Sequence, residues 1–284
     1  MKSIRAKIMS LLFYSVLISS VVIGALGISL TSYVIKDSTT ENMRLLCKNN
    51  ADKIDITFAK VEESVNTLVH FVESELKDAE SLKNTSFREK FSANVQKNAL
   101  HHVESVEGAA SVYMHYDPAL VGETDGFYYL KLTDSEEFQY HPLTDISAFP
   151  SNADEHVGWW YVPTISGNAT WFEAYYDANI GRYVISYVVP MYKDGKLIGV
   201  MGADIFTEYI VNLVKEVSVF NSGQGAVLKS DGTVLYHPNF DRGVLLGKGD
   251  PGFEGVIEKL TKEDSTKELI SYKLKGEKKK LASC

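Results

Sequence analysis

Between Ile8 and Ile35 the chain carries no charged residue, a run of 28. A helix crosses the hydrocarbon core of a bilayer with about 20 predominantly apolar residues. The run is rich in Leu, Ile and Val (Leu11, Leu12, Val16, Leu17, Ile18, Val21, Val22, Ile23), and Gly24 and Gly27 are ordinary in a membrane helix. Lys2, Arg5 and Lys7 precede it, while only the Lys36–Asp37 pair follows at once. The positive-inside rule then places the N-terminus in the cytoplasm and everything after about residue 36 outside. Ala25-Leu26-Gly27 would suit cleavage of a signal peptide. The apolar region of such a peptide is usually about 7–15 residues, which favours an uncleaved anchor here. A buried core helix fits poorly, because basic residues stand on one flank only.

The rest of the chain reads as a folded exterior portion. With 284 residues there is room for one large domain or two small ones. The 37 acidic against 29 basic residues give a net charge of −8, which argues against binding a row of phosphates. A mean hydropathy of −0.10 excludes a polytopic membrane protein. Cys47 and Cys284 cannot build a disulfide framework, and no Cys-x-x-Cys pair suggests zinc.

Beyond Ser38-Thr39-Thr40 the pattern turns helical. Cys47, Ala51, Ile54, Phe58, Val61, Val65, Leu68, Val72 and Leu76 form a heptad-like apolar stripe, flanked by Lys53, Asp55, Lys60, Glu62 and Glu63. Gly and Pro are absent from Lys36 to Val106, so nothing need break the helix early. The stripe has two readings: a spine on which a domain packs, or a coiled-coil seam around Ile54–Val72 joining two copies into a homodimer. A second helical stretch, with Phe87, Phe91, Val95, Ala99, Val103 and Val106 apolar, follows a polar break at Asn84-Thr85-Ser86.

After Gly108 the chain becomes β-rich. Ala109–Tyr116 reads as a strand closed by Asp117-Pro118, and Gly126–Leu132 as another. Tyr183–Tyr192 and Lys196–Asp204 flank Asp194-Gly195, the strongest short-range hairpin signal, because both turn residues need positive φ. A similar unit recurs at Gly225–Lys229 and Thr233–Tyr236 around Ser230-Asp231-Gly232. Between them Thr207–Val217 reads as a helix with Thr207 as its N-cap. Two α+β modules in series fit this order better than a parallel α/β sheet. The second module reads as incomplete, since the chain passes Lys278-Lys279-Lys280 and stops at Cys284 without closing strands. A truncation there is the expectation.

Several of these stretches carry a family resemblance. Val157-Gly158-Trp159-Trp160-Tyr161-Val162-Pro163, Trp171–Asp177, Ile185–Pro190, Asp194-Gly195-Lys196 and Ile198–Asp204 follow one another in an order that resembles the double Cache (dCache) sensor domains. These are the extracytoplasmic parts of bacterial chemoreceptors, sensor histidine kinases and diguanylate cyclases. The resemblance implies a long helix supporting two PAS-like modules, with a small ligand in the membrane-distal one. It divides the chain into a cytoplasmic N-terminus (1–7), a transmembrane helix (8–35) and a sensor domain (37–284). Within the last lie a helical region (37–100), a distal ligand-binding module (100–210) and a proximal module (215–284).

Amino-acid-binding members resemble one another in an Arg-x-Trp-Tyr element, a Tyr-x-Asp element and a later Asp. Carried over, Trp159 takes the Trp, Trp160 the next aromatic, Tyr175 and Asp177 the Tyr-x-Asp, and Asp204 the last Asp. The Arg falls on Val157, and an aliphatic chain cannot replace a guanidinium clamp on a carboxylate. What is retained suits an ammonium: two carboxylates and aromatic faces. The ligand expected is therefore an amine, or an amino acid whose carboxylate is held some other way. Tyr113 and Tyr128 could reach the same pocket from neighbouring strands.

Blander roles compete with each of these. The aromatic residues can be core, Asp177 can be an ordinary turn residue, and Asp204 can organise the turn before Thr207. His237-Pro238 reads as structural. There is no Gly-x-Ser-x-Gly elbow, His-Glu-x-x-His or Walker loop, and adjacent His101 and His102 make a poor metal pair on a helix. No catalysis, cofactor or metal is expected of this portion. The reading is a receptor in the cell membrane, its bulk outside, sensing a small molecule. A ligand-free structural or adhesive ectodomain and an anchored ectoenzyme are the alternatives.

Overall fold

A computed structural model describes residues 4–133, 136–149, 155–219, 223–246, 255–260, 270–274 and 277–281. Residues 50–250 form one compact unit, and residues 1–49 with 251–284 form a second.

The smaller unit contains the uncharged run, whose apolar side chains from Ile8 to Ile35 are largely exposed. The run is helical throughout, the first part of a helix α1 that spans Ile4–Glu75. Among the described residues this is one helix long and apolar enough to cross a membrane. The same unit holds a short helix at Val256–Leu260 and a hairpin of Ile270–Leu274 with Glu277–Leu281. The lysine run expected to trail off thus pairs along its backbone as a strand, Lys279 opposite Tyr272.

The larger unit begins with the rest of α1. Val61, Val65, Leu68, Val69, Val72 and Leu76 are buried. This i, i+3, i+4 stripe packs in one core with Val95, Ala99 and Val103 of helix α2 (Thr85–Glu104) and with one face of a sheet. From Val61 onward, then, these stripe residues are buried within the chain, as the spine reading expects. Asn84 caps α2 through its Oδ1, which accepts from the Phe87 amide at 3.0 Å. Arg88 is buried on this helix while Phe87, expected inside, is exposed.

The sheet has six antiparallel strands in the order β3-β2-β1-β6-β5-β4. Its members are β1 (Ala109–Tyr116), β2 (Gly126–Leu130), β3 (Gln139–Tyr140), β4 (Thr170–Asp177), β5 (Arg182–Lys193) and β6 (Lys196–Phe206). The Asp194-Gly195 turn joins β5 to β6 with φ of 52° and 75°, as the hairpin signal requires. Every residue of β1 is buried, which marks it as a central strand covered on both faces. Alternation sends Val112, Met114 and Tyr116 to the α1–α2 core and leaves Ser111, Tyr113 and His115 on the other face.

That other face is covered by helix α4 (Gly158–Ser166), which follows a short helix α3 (Pro118–Val121) in the chain. Helix α5 (Thr207–Lys215) leaves β6 one residue earlier than expected. Phe206 is its N-cap and makes no side-chain cap, while the Thr207 hydroxyl is buried without a partner. The expected second hairpin forms from Val227–Leu228 and Val234–Tyr236. Among the described residues the ladders in this part of the chain are two-stranded, with a further isolated bridge between Thr233 and Leu245.

Candidate functional site

Register brings the polar residues of the covered face together. Ser111 on β1 and Ser186 on β5 both stand opposite Asp204 on β6, while Tyr113 stands opposite Gly202 on one side and Tyr128 on the other. Period-2 alternation aims these side chains the same way, so three strands deliver a serine, a carboxylate and a serine in one row.

Asp204 is buried, and the two serines answer that burial. Ser186 Oγ donates to its Oδ1 at 2.5 Å and Ser111 Oγ donates to its Oδ2. Desolvation still dominates and pushes the carboxyl up to about 6, the serine hydrogen bonds acting in the opposite direction. Tyr175 Oη lies 2.9 Å from Ser186 Oγ. Because Ser186 has a single proton and spends it on Asp204, the tyrosine is the donor in that pair. Burial, with the nearby Asp204 charge second, holds the phenols of Tyr113, Tyr128 and Tyr175 well above their ordinary value, so they stay neutral donors.

A cavity opens here, lined by Tyr113, His115, Tyr128, Leu143, Thr144, Trp159, Tyr175, Asp177, Asn179 and Asp204. The Tyr113 ring meets Tyr128 edge-on at 6.0 Å and Trp159 at 5.5 Å, an arrangement of perpendicular walls. Gly202 makes room for Tyr113: a Cβ there would fall 2.5 Å from its hydroxyl oxygen and 2.7 Å from Cε2.

Six of the seven residues expected at the site line this cavity: Tyr113, Tyr128, Trp159, Tyr175, Asp177 and Asp204. Trp160 does not. It is buried in the core beside the cavity with Tyr113, Ile146, Val188 and Val200. Successive helix residues point about 100° apart, so α4 can turn one of its two tryptophans to the cavity and the other inward. Asp177 makes the turn weighed for it and also lines the cavity. Its Oδ1 accepts from the Asn179 and Ile180 amides at 2.7 and 3.0 Å, making the turn, and the same side chain reaches the cavity wall. Val157, on which the resemblance sets the Arg, is wholly buried at the start of α4.

Sequence reasoning missed Ser111, Ser186, His115, Leu143, Thr144 and Asn179. Alternation on β1 would have found two of them, since Ser111 and His115 flank Tyr113 at i±2. His115 is fully buried, and its ring approaches Trp159 at 5.8 Å and Trp160 at 5.5 Å. Its Nδ1 lies 2.9 Å from the Tyr116 carbonyl oxygen and its Nε2 lies 3.0 Å from that of Thr144. Thr144 also accepts from Asn179 Nδ2 at 3.3 Å, and Thr124 donates to Asp145 at 2.9 Å. The 141–149 segment is thereby tied to the sheet around the cavity. Among the described residues no group of three or more acidic, His or Cys side chains could hold a metal.

Comparison with known proteins places the fold. The family profile dCache_1, described as Cache domain, matches residues 32–283. The sensory domain of the Campylobacter jejuni chemoreceptor Tlp3 (CcmL) is similar, with a TM-score of 0.58 and 21% identity, covering 85% of this chain and 87% of that one. The Tlp3 ligand-binding domain in complex with L-valine aligns with a TM-score of 0.57 and 22% identity, over 85% of this chain and 86% of that one. The extracellular domain of mmHK1S-Z3, described as a histidine kinase, aligns at 0.56 and 16% identity over 83% of each chain. At these identities the likeness is one of fold. In sequence, the methyl-accepting chemotaxis protein McpA of Pseudomonas putida is 25% identical over 95 residues, which are 33% of this chain and 15% of that protein. The chain therefore matches a small part of that relative's length.

Proposed function

This chain belongs to the Cache domain family, and from that premise we propose that it is the sensing portion of a transmembrane signal-transduction receptor. Its ligand is an amine or an amino-acid-like molecule, held outside the cell in the module of residues 100–210. A second module, 215–284, lies nearer the membrane. The helix of residues 8–35 is the anchor, with the basic N-terminus inside. The observation that carries this reading is the cavity itself. Three tyrosines and a tryptophan converge with two carboxylates, Asp177 and Asp204, and among the described residues no lysine or arginine lines the space. Aromatic faces and carboxylates together suit a small cation, through cation–π attraction and charge-assisted hydrogen bonds.

Titration of the full chain in nanodiscs by calorimetry and thermal shift, against L-valine, L-isoleucine and primary amines, tests it. Binding to the native state raises the unfolding temperature. Asp204→Ala should abolish the effect. Tight binding of L-amino acids undiminished in Asp204→Ala would defeat the assignment of the site.

A further inference from the structure

Among the ten described residues that line the cavity, His115 is the single basic side chain. Its surroundings set two demands against each other. Both ring nitrogens lie at hydrogen-bond distance from backbone carbonyl oxygens, those of Tyr116 and Thr144. Carbonyl oxygens only accept, and a neutral imidazole donates from one nitrogen alone. In the neutral ring one lone pair therefore faces another across a buried contact; the imidazolium alone satisfies both carbonyls. Burial opposes the charge and holds His115 below its ordinary value, while the two carbonyls and the carboxylates of Asp125 and Asp145 work to raise it.

The charged groups around this ring come from several elements. Asp125, at the entrance of β2, is shared with Arg88, whose Nε donates to it. Asp145 lies in the segment after β3. Asp204 on β6 and Asp177 at the end of β4 share the cavity, and α4 contributes only the uncharged rings of Trp159 and Trp160. A ligand carboxylate entering the cavity adds one more anion beside a ring already shaped for the second proton.

We infer that His115 is the specificity-determining residue of this site: it takes up a proton from solvent as a zwitterionic α-amino acid binds, and its imidazolium is the counter-charge to the ligand carboxylate. It would supply the cation that Val157 lacks, while Asp177 and Asp204 hold the ammonium. The site thereby selects amino acids over amines of the same side chain. This rests on the reading of the cavity as the ligand site and narrows its ligand class.

Calorimetry on the full chain in nanodiscs near neutral pH, in phosphate and in Tris, counts protons exchanged from the difference in observed enthalpy. The probes are L-valine and L-isoleucine with their decarboxylated counterparts, isobutylamine and 2-methylbutylamine. Amino-acid binding should take up a substantial part of one proton per site, and amine binding none. His115→Gln should remove the uptake and collapse a preference for the amino acid of about tenfold or more, the coupling that a shift of one pKa unit represents. His115→Lys should keep a preference without the uptake. A second measurement needs no variant: the ratio of amino-acid to amine affinity in the wild type should fall as pH rises, because the Asp204 contribution cancels in the ratio. Amino-acid binding without proton uptake, or with a ratio flat in pH, overturns the role of His115 and leaves the cavity as an amine site. If none of the four compounds binds, the cavity reading fails and the inference with it.

Discussion

Asp204 should make the folded protein less stable at neutral pH than a neutral residue in its place would. In the unfolded chain its carboxyl titrates near 3.8, whereas burial pushes it up to about 6 in the fold. Above about 6 the group is ionised in both states, and the fold bears the cost of a desolvated charge. As pH falls through 6 the native state binds a proton that the unfolded chain does not, so stability rises, and the gain is complete below 3.8. At about 1.4 kcal/mol per pKa unit the whole effect is about 3 kcal/mol, with about 2 kcal/mol developed between about pH 7.5 and 4.5. Other acids, such as Glu80, held at about 2 by Lys196 and Lys83, act in the opposite direction. They are common to wild type and Asp204→Asn and cancel in the difference. Denaturant unfolding of the detergent-solubilised chain can be followed by tryptophan fluorescence, since Trp159, Trp160 and Trp171 all belong to the larger unit. The stability of wild type relative to Asp204→Asn should rise by about 2 kcal/mol on acidification over that range. A difference that stays flat would refute the argument that desolvation outweighs the two serine hydrogen bonds.

Further outcomes follow from neighbouring contacts. Gly202→Ala places a methyl 2.5 Å from the Tyr113 hydroxyl oxygen, where ordinary contact begins at 3.4 Å, so the ring must move into the cavity. A loss of about 1–3 kcal/mol in denaturant stability is expected, with ligand affinity lost alongside it. Arg88→Met removes a buried guanidinium that donates to Asp125, Glu123 and, at 2.7 Å, the Leu82 carbonyl. It should cost about 2–3 kcal/mol by the same assay, a loss moderated because both carboxylates keep partial access to water. Trp160→Ala, a core truncation, should cost about 3–5 kcal/mol, whereas Trp159→Phe should leave unfolding near wild type and change the titration curve instead.

Much of this architecture was legible because local chemistry and tertiary packing agree. The Asp194-Gly195 turn between the apolar runs of β5 and β6 and the apolar stripe of α1 from Val61 onward are local signals that the packing agrees with. The discrepancies have separate physical sources. Phe87 lies at the first turn of α2, where Asn84 sets the helix phase and turns Arg88 inward, toward carboxylates distant in sequence. Thr207 has cap chemistry, yet β6 continues to Phe206 and places its hydroxyl where no amide awaits it. At the site, a motif carried over from a family identifies side chains but not the face each presents; adjacent Trp159 and Trp160 diverge for that reason. Leu143 and Thr144 reach the cavity from an irregular segment, and irregular segments have no period to read.

The position of the cavity in the sheet bears on how occupancy could be felt elsewhere. The cavity and α1 lie on opposite faces of the same strands. Tyr175 and Asp177 of β4, and Ser186 beneath Asp204 on β5, face the cavity side. The same two strands hold α1 on the other face: Trp171 Nε1 donates to Glu62 at 2.5 Å, and Asn66 Nδ2 donates to Tyr187 Oη at 3.3 Å. Further along β5, the Tyr192 amide donates to Glu73 Oε1 at 3.0 Å and Lys193 Nζ donates to its carbonyl at 2.7 Å. The polar ties of α1 thus run to β4 and β5, and α1 continues without interruption into the run from Ile8 to Ile35. A ligand changes a conformational equilibrium only by the difference in its affinity for the two states. On the proposed reading a change in the spacing of Asp177 and Tyr175 on β4 from Asp204 on β6 supplies such a difference. β5 lies between them, so a change in that spacing twists or shifts the strands that grip α1, which movement of Trp159 on α4 or of the 141–149 segment alone would not do.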